Sequence, residues 1–227
     1  DDSRIIIVPV PYDATSTYIK GADKGPAAIL DASPGLEFYD VETGGEACKE
    51  GIFTLPPVTT GDDPAELKKA VHDITSGIFS EGRFPVTIGG NHSVSVGAFE
   101  AASESFSGLT ILQLDAHSDL RPVYEGSPLN HACVMARAME YAPVVQVGIR
   151  SMAAEELPFV NEERIFYAHD LYADSRLYNK ALRLLSDNVY ITIDLDVFDP
   201  SLMPSTGTPE PGGPDYRELM LFLRQVM

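Results

Sequence analysis

Apolar positions along this chain fall into short unbroken runs, separated by polar stretches with helical spacing. The first run, Ile5-Ile6-Ile7-Val8-Pro9-Val10, is continuous and β-branched, the pattern of a strand buried on both faces of a parallel sheet. Four more runs repeat it: Pro85 to Ile88, Leu109 to Leu114, Val144 to Ile149 and Val189 to Leu195. Between the strands, Pro26 followed by Ala27-Ala28-Ile29-Leu30 predicts a helix that opens on proline. Asp62 or Asp63 ahead of Pro64 predicts a second, with Leu67, Ala70, Val71, Ile74 and Ile78 along one face. Lys20 to Pro26 reads as a loop, and Glu42 to Glu50, with its two glycines, as a surface loop. Strands alternating with helices imply crossover connections and a parallel sheet, an α/β fold. At 227 residues without repeats or low-complexity tracts, residues 1–227 are read as a single domain.

In open parallel sheets, ligands bind beyond the carboxyl ends of the strands, so the polar residues that follow each apolar run carry the functional reading. Val86-Thr87-Ile88 leads into Gly89-Gly90-Asn91-His92-Ser93, Ile111-Leu112-Gln113-Leu114 into Asp115-Ala116-His117-Ser118-Asp119, and Ile191-Thr192-Ile193 into Asp194-Leu195-Asp196. If the backbone stays extended, the spacing Asp-x-His-x-Asp puts three side chains on one side of the strand, and Asp-x-Asp does the same for two. Two imidazoles and four carboxylates form a mixed nitrogen and oxygen set, suited to Mn, Fe or Zn rather than to an all-oxygen calcium cage. Each piece also has a plainer reading. Asp194-x-Asp196 alone is more often a solvated turn, and His92 alone a strand-end histidine bonded to backbone. Three ionisable groups packed at the buried end of one strand are harder to explain without a cation to pair with.

Composition narrows the partners. With 34 acids against 16 Lys plus Arg, the formal charge is −18, which argues against nucleic acid and favours a cationic ligand. No apolar run approaches the roughly 20 residues of a membrane helix, and the start Asp1-Asp2-Ser3-Arg4 has no signal-peptide pattern. The expectation is a cytoplasmic protein with no membrane partner. Cys48 and Cys133 form no CxxC pair and read as reduced thiols.

These motifs resemble one family, the ureohydrolases, which include arginase and agmatinase. Family members carry Gly-Gly-Asp-His-Ser or a near variant, then Asp-Ala-His-x-Asp, then Asp-x-Asp running into Asp-Pro. Here the last of these is Asp194-Leu195-Asp196-Val197-Phe198-Asp199-Pro200. Tyr124-Glu125-Gly126-Ser127, His131-Ala132-Cys133-Val134-Met135 and Gly207 to Gly213 look more like agmatinase than arginase.

The resemblance implies a three-layer α/β/α arginase-like fold with a mainly parallel central sheet, and two Mn2+ ions per chain. One manganese would be held by His92, Asp115, Asp119 and Asp194, the other by His117, Asp115, Asp194 and Asp196. Asp119 would take part in the first proton transfer, His131 would shuttle protons, and Glu125 would meet the substrate's ammonium. The implied reaction is hydrolysis of a guanidinium C–N bond to release urea, with agmatine going to putrescine in polyamine biosynthesis. Arginine, guanidinobutyrate and formiminoglutamate are the alternative substrates. A homo-oligomer, trimer or hexamer, is implied in the same way. His72 reads as structural, and His169 receives no role.

Two departures from the family pattern stand out. Asn91 occupies the place of a usual acid, with a loosened orientation of His92 as the expected cost. Family chains also continue past Gly213 into a strand bearing a glutamate that receives the guanidinium, whereas this sequence stops at Met227. A metal-binding but inactive homologue is therefore a rival reading. A one-metal zinc deacetylase and a nucleotide-binding module are weaker rivals, since Gly89-Gly90 is not a phosphate-loop pattern.

Overall fold

The structure is a computed structural model, and it describes residues 2–227. Seven strands are found among these residues: β1 (Ile5–Val10), β2 (Ile52–Thr54), β3 (Phe84–Gly89), β4 (Leu109–Leu114), β5 (Val144–Ile149), β6 (Ile165–Tyr167) and β7 (Asn188–Ile193). All pair in parallel, in two ladders of order β2-β1-β3 and β6-β5-β4-β7. The helices are α1 (Gly25–Ala32), α2 (Pro64–Ser80), α3 (Ser95–Ser105), α4 (Val134–Ala138), α5 (Ala168–Ala173), α6 (Arg176–Leu182) and α7 (Tyr216–Val226).

Strand β4 shows how the layers form. Its side chains alternate between faces, so Leu112 and Leu114 pack with Leu171 of α5, Tyr178 and Ala181 of α6 and Phe222 of α7 on one side. Leu109 and Ile111 pack with Val96 and Phe99 of α3 and Val134 and Met135 of α4 on the other. Helices on both faces of parallel strands make an α/β architecture. The predicted start of α2 is sharpened to Asp63, whose carboxylate accepts from the Ala65 backbone N–H ahead of Pro64. No helix among the described residues is long and apolar enough to cross a membrane.

Two expectations need correction. Strands β4 and β5 are buried at every position, as their runs predict, but β3 and β7 are not. These two are the edges of the two ladders, and both line a cleft of about 1830 Å3 that exposes Phe84, Val86 and Ile193. Hydrophobic pattern reports the capacity of a strand to be covered; it does not report whether a neighbour is there. Strands β2 and β6, three residues each, escape the reading because so short a run carries no periodicity.

Candidate metal centre

The carboxyl ends of β3, β4 and β7 open into this cleft, and their following turns set the side chains. After β3 the chain must pass close to the loop after β1. A Cβ on Gly90 would lie 1.9 Å from the Tyr12 carbonyl oxygen, so glycine is required there. That close approach lets Asn91 cap the next turn. Its Oδ1 accepts from the Ser93 N–H and Oγ, while its Nδ2 donates to Thr15 and Ser16. Asn91 therefore braces the loop rather than His92, which corrects the expected loosening. His92 is instead oriented by Thr192 of β7, whose Oγ1 lies 2.9 Å from Nε2. Its Nδ1 is left facing the acids.

After β4 the backbone is not extended throughout, contrary to the simple period-two argument. Asp119 has φ 52, a left-handed conformation that Asp tolerates at a cost of about 1 kcal/mol. Its neighbours hold it there. The buried Glu156 carboxylate accepts from Ser118 Oγ (2.6 Å) and the Leu120 N–H (2.8 Å), and its other oxygen accepts from the Ala153 N–H. The Asp119 carbonyl accepts from the N–H groups of Met135 and Ala136 at the start of α4. After β7, Asp194 caps a single 3-10 turn, Leu195–Val197, so Asp194 and Asp196 also converge through a turn rather than a pleat.

The result is two clusters that share Asp115. His92, Asp115 and Asp119 form one, and Asp115, His117 and Asp196 the other, with potential ligand atoms within 4.8 Å of one another in each. His92 Nδ1 lies 3.0 Å from Asp115 and 3.2 Å from Asp119, while His117 Nδ1 lies 3.0 Å from Asp196 and 3.7 Å from Asp115. Asp194 stands at the border, 3.9 Å from His92 Nδ1, and belongs to neither three-residue group. His131 lines the same cleft, with Nδ1 2.7 Å from the Thr15 carbonyl oxygen and its ring edge-on to Tyr124. Glu125, at φ 46, is exposed on the turn closed by Tyr124 and Ser127, outside the residues that line the cleft.

The electrostatics are those of a site short of positive charge. Burial, reinforced by the Asp115 charge, pushes Asp119 up to about 6; burial with Asp196 and Asp115 pushes Asp194 up to about 7. Asp196 is raised by burial and Asp115 in the same way. Burial opposes charge on both histidines, yet the carboxylates against them prevail, holding His117 at about 11 and His92 well above its usual value. The imidazolium protons thus stand in for cations. His92 Nδ1, fully buried, makes no hydrogen bond of good geometry although two carboxylates lie within 3.2 Å of it. A buried, unpartnered nitrogen beside two acids, with the other ring nitrogen fixed by a hydroxyl, fits a metal ligand once it carries no proton.

Sequence reasoning missed the supporting groups. Thr192 lies inside a strand and Glu156 in a short 3-10 helix, Ala154–Phe159, and neither carries a metal-ligand motif. Arg150 follows β5 directly, so the strand-end rule applied to the other runs should have flagged it. Glu210, in the segment Gly207 to Gly213, bonds Ser151 and lies 3.9 Å from His117 Nε2.

Fold and site together define a class: an α/β enzyme whose acid and imidazole centre sits at the carboxyl edge of parallel strands. Residues 3–227 match the family model for the arginase family. An N(1)-aminopropylagmatine ureohydrolase of Synechocystis sp. is 39% identical, over 99% of this chain and 77% of that protein. An agmatinase of Bacillus anthracis is 34% identical, over 97% and 77% respectively. The crystal structure of the agmatine ureohydrolase of Thermoplasma volcanium superposes with a TM-score of 0.90 at 28% identity, covering 99% of this chain and 78% of that one. The chain belongs to the arginase family and is a ureohydrolase of that family. The family depends on a binuclear metal centre, for which this chain has candidate ligands.

Proposed function

We propose that this protein hydrolyses the guanidinium group of a linear polyamine precursor, agmatine, to putrescine and urea, with two manganese ions. The observation that carries the reading is the pair of acid and imidazole clusters joined through Asp115. One ion would be held by His92, Asp115, Asp119 and Asp194, and the other by His117, Asp115, Asp194 and Asp196. When bound, such a pair would supply Lewis acidity and lower the pKa of the attacking water.

The protein's own groups do the rest. The residues at the carboxyl ends of β3, β4 and β7 that line the cleft around the clusters hold the guanidinium carbon in place. Asp119, held in its left-handed turn beside His92 and Asp115, takes the proton released from water. His131, its pKa lowered chiefly by burial, takes up a proton from solvent and passes it on to the departing nitrogen. Water is consumed, the C–N bond to the alkyl chain breaks, and urea and a primary ammonium leave. Glu125, outside the cleft lining but near enough to His131 to act on it through its charge, attracts the distal ammonium of the substrate electrostatically. The protein acts in the cytoplasm as a trimer or hexamer.

A longer substrate is a second reading, favoured by relatives of 34–39% identity named N(1)-aminopropylagmatine ureohydrolase. Urea release from agmatine, N(1)-aminopropylagmatine, guanidinobutyrate and arginine after manganese loading separates the possibilities. Release from one or both of the first two is expected, and release from arginine alone removes the reading. Substituting Glu125→Gln should slow the cationic substrates more than guanidinobutyrate, and equal losses would rule out that contact.

A further inference from the structure

Arg150 is a cation placed beside a site built to receive cations, and its hydrogen bonds show why it is tolerated. Its guanidinium donates only to carbonyls. Nη2 bonds Asp196 O (2.7 Å), Phe198 O and Glu210 O (2.8 Å); Nη1 bonds Val197 O and Gly148 O; Nε bonds Glu210 O and Pro211 O. The Arg150 backbone N–H also donates to Ala116 O, between Asp115 and His117. One residue thus ties together the turn bearing Asp196, the segment bearing Glu210 and the stretch bearing His117. The fit leaves no slack, since a Cβ on Gly213 would lie 2.8 Å from Nη2 and 2.4 Å from Val197 O. The planar fan of five N–H donors is what lets one side chain reach so many carbonyls, a reach that lysine lacks.

We propose that Arg150 is a positioning residue for the outer half of the metal centre, setting Asp196 against His117 through the main chain of the Asp196 turn. The proposal rests on the two-metal reading above. Its direction separates geometry from charge. Acting through its charge alone, a fixed cation near the site weakens cation binding, and neutralising it tightens the outer ion. Acting through position, neutralising it loosens the outer ion.

The test is calorimetric titration of Mn2+ into the metal-free protein, with the two binding events assigned by the variants His92→Asn and His117→Asn. Arg150→Gln is expected to weaken the event that His117→Asn abolishes by about 10- to 100-fold, as loss of an outer-layer partner does. Arg150→Lys, which keeps the charge and fewer bonds, is expected to fall between Gln and the parent. The event that His92→Asn abolishes should stay within about threefold of the parent, being held by Thr192 and Glu156 instead. Tighter outer binding in Arg150→Gln, or equal weakening of both events, overturns the proposal. If Arg150→Gln does not fold, Arg150→Lys carries the same comparison. A parent protein that takes up fewer than two ions overturns the metal reading first, before any variant is made, and the proposal with it.

Discussion

The two clusters share one aspartate and differ in everything around it. The His92 side chain is 5% exposed and latched by Thr192, whereas the His117 side chain is 24% exposed and its Nε2 faces Glu210 across 3.9 Å, beyond hydrogen-bond range. In the inner cluster Thr192 holds the His92 side chain directly, while Glu156 and the start of α4 hold the main chain around Asp119. In the outer cluster the Asp196 carboxylate accepts from the Ala116 N–H and Thr208 Oγ1, and Arg150 braces the main chain of its turn. Enclosure and orientation are thus supplied by different residues in the two halves, so single changes should separate them.

The largest effect belongs to Asp115, the residue that the two three-residue clusters share. Asp115→Asn should abolish both metal-binding events and lower urea release by more than about 100-fold, since even outer-layer partners are worth 10- to 100-fold. Elemental analysis and a urea assay check this, and a variant that keeps two ions at parental affinity would break the account of a shared ligand. Thr192→Val comes next. It preserves shape, removes the side-chain partner of His92 Nε2 among the described residues, and should weaken the inner ion about tenfold while sparing the outer one. Equal weakening of both would mean that the clusters are not independently supported.

The smallest effect lies away from the site. His72 on α2 bonds Glu104 on α3 and its neighbour Asp73, and these contacts raise its pKa against a smaller opposing effect of burial. A raised folded-state pKa stabilises the protein fully below the unfolded value of about 6.5, and that contribution disappears as pH rises through the folded value. His72→Gln should therefore lower stability by less than about 1 kcal/mol at pH 6 and by nothing measurable at pH 9, as an exposed pair. Denaturant melts at the two pH values read the difference, and a pH-independent loss would assign His72 a packing role alone.

How much of this was legible in the chain differs by element. The runs at Leu109 to Leu114 and Val144 to Ile149 coincide with β4 and β5 residue for residue, because a strand covered on both faces writes continuous apolar sequence. The same pattern at β3 and β7 misstates their surroundings, since pairing partners come from elsewhere in the chain. At α7 the capping box Asp215 to Glu218 was written in plain sequence and went unread. In the site, the spacing of Asp115, His117 and Asp119 drew notice for a period-two reason, but the left-handed backbone at Asp119 and the turn at Asp194 bring the groups together. Ligand-type residues announce themselves by chemistry. Thr192, Glu156 and Arg150 act through contacts 36 to 100 residues away, and local sequence does not record such partners.

The central claim is that Asp115 and the five side chains around it hold a pair of ions on which hydrolysis depends. Manganese titration of the metal-free protein, followed at each point by urea release from agmatine and N(1)-aminopropylagmatine, tests it directly. Two ions per chain are predicted, with activity rising as the second, outer position fills. Uptake of one ion, or full activity in a protein stripped of metal, would contradict it.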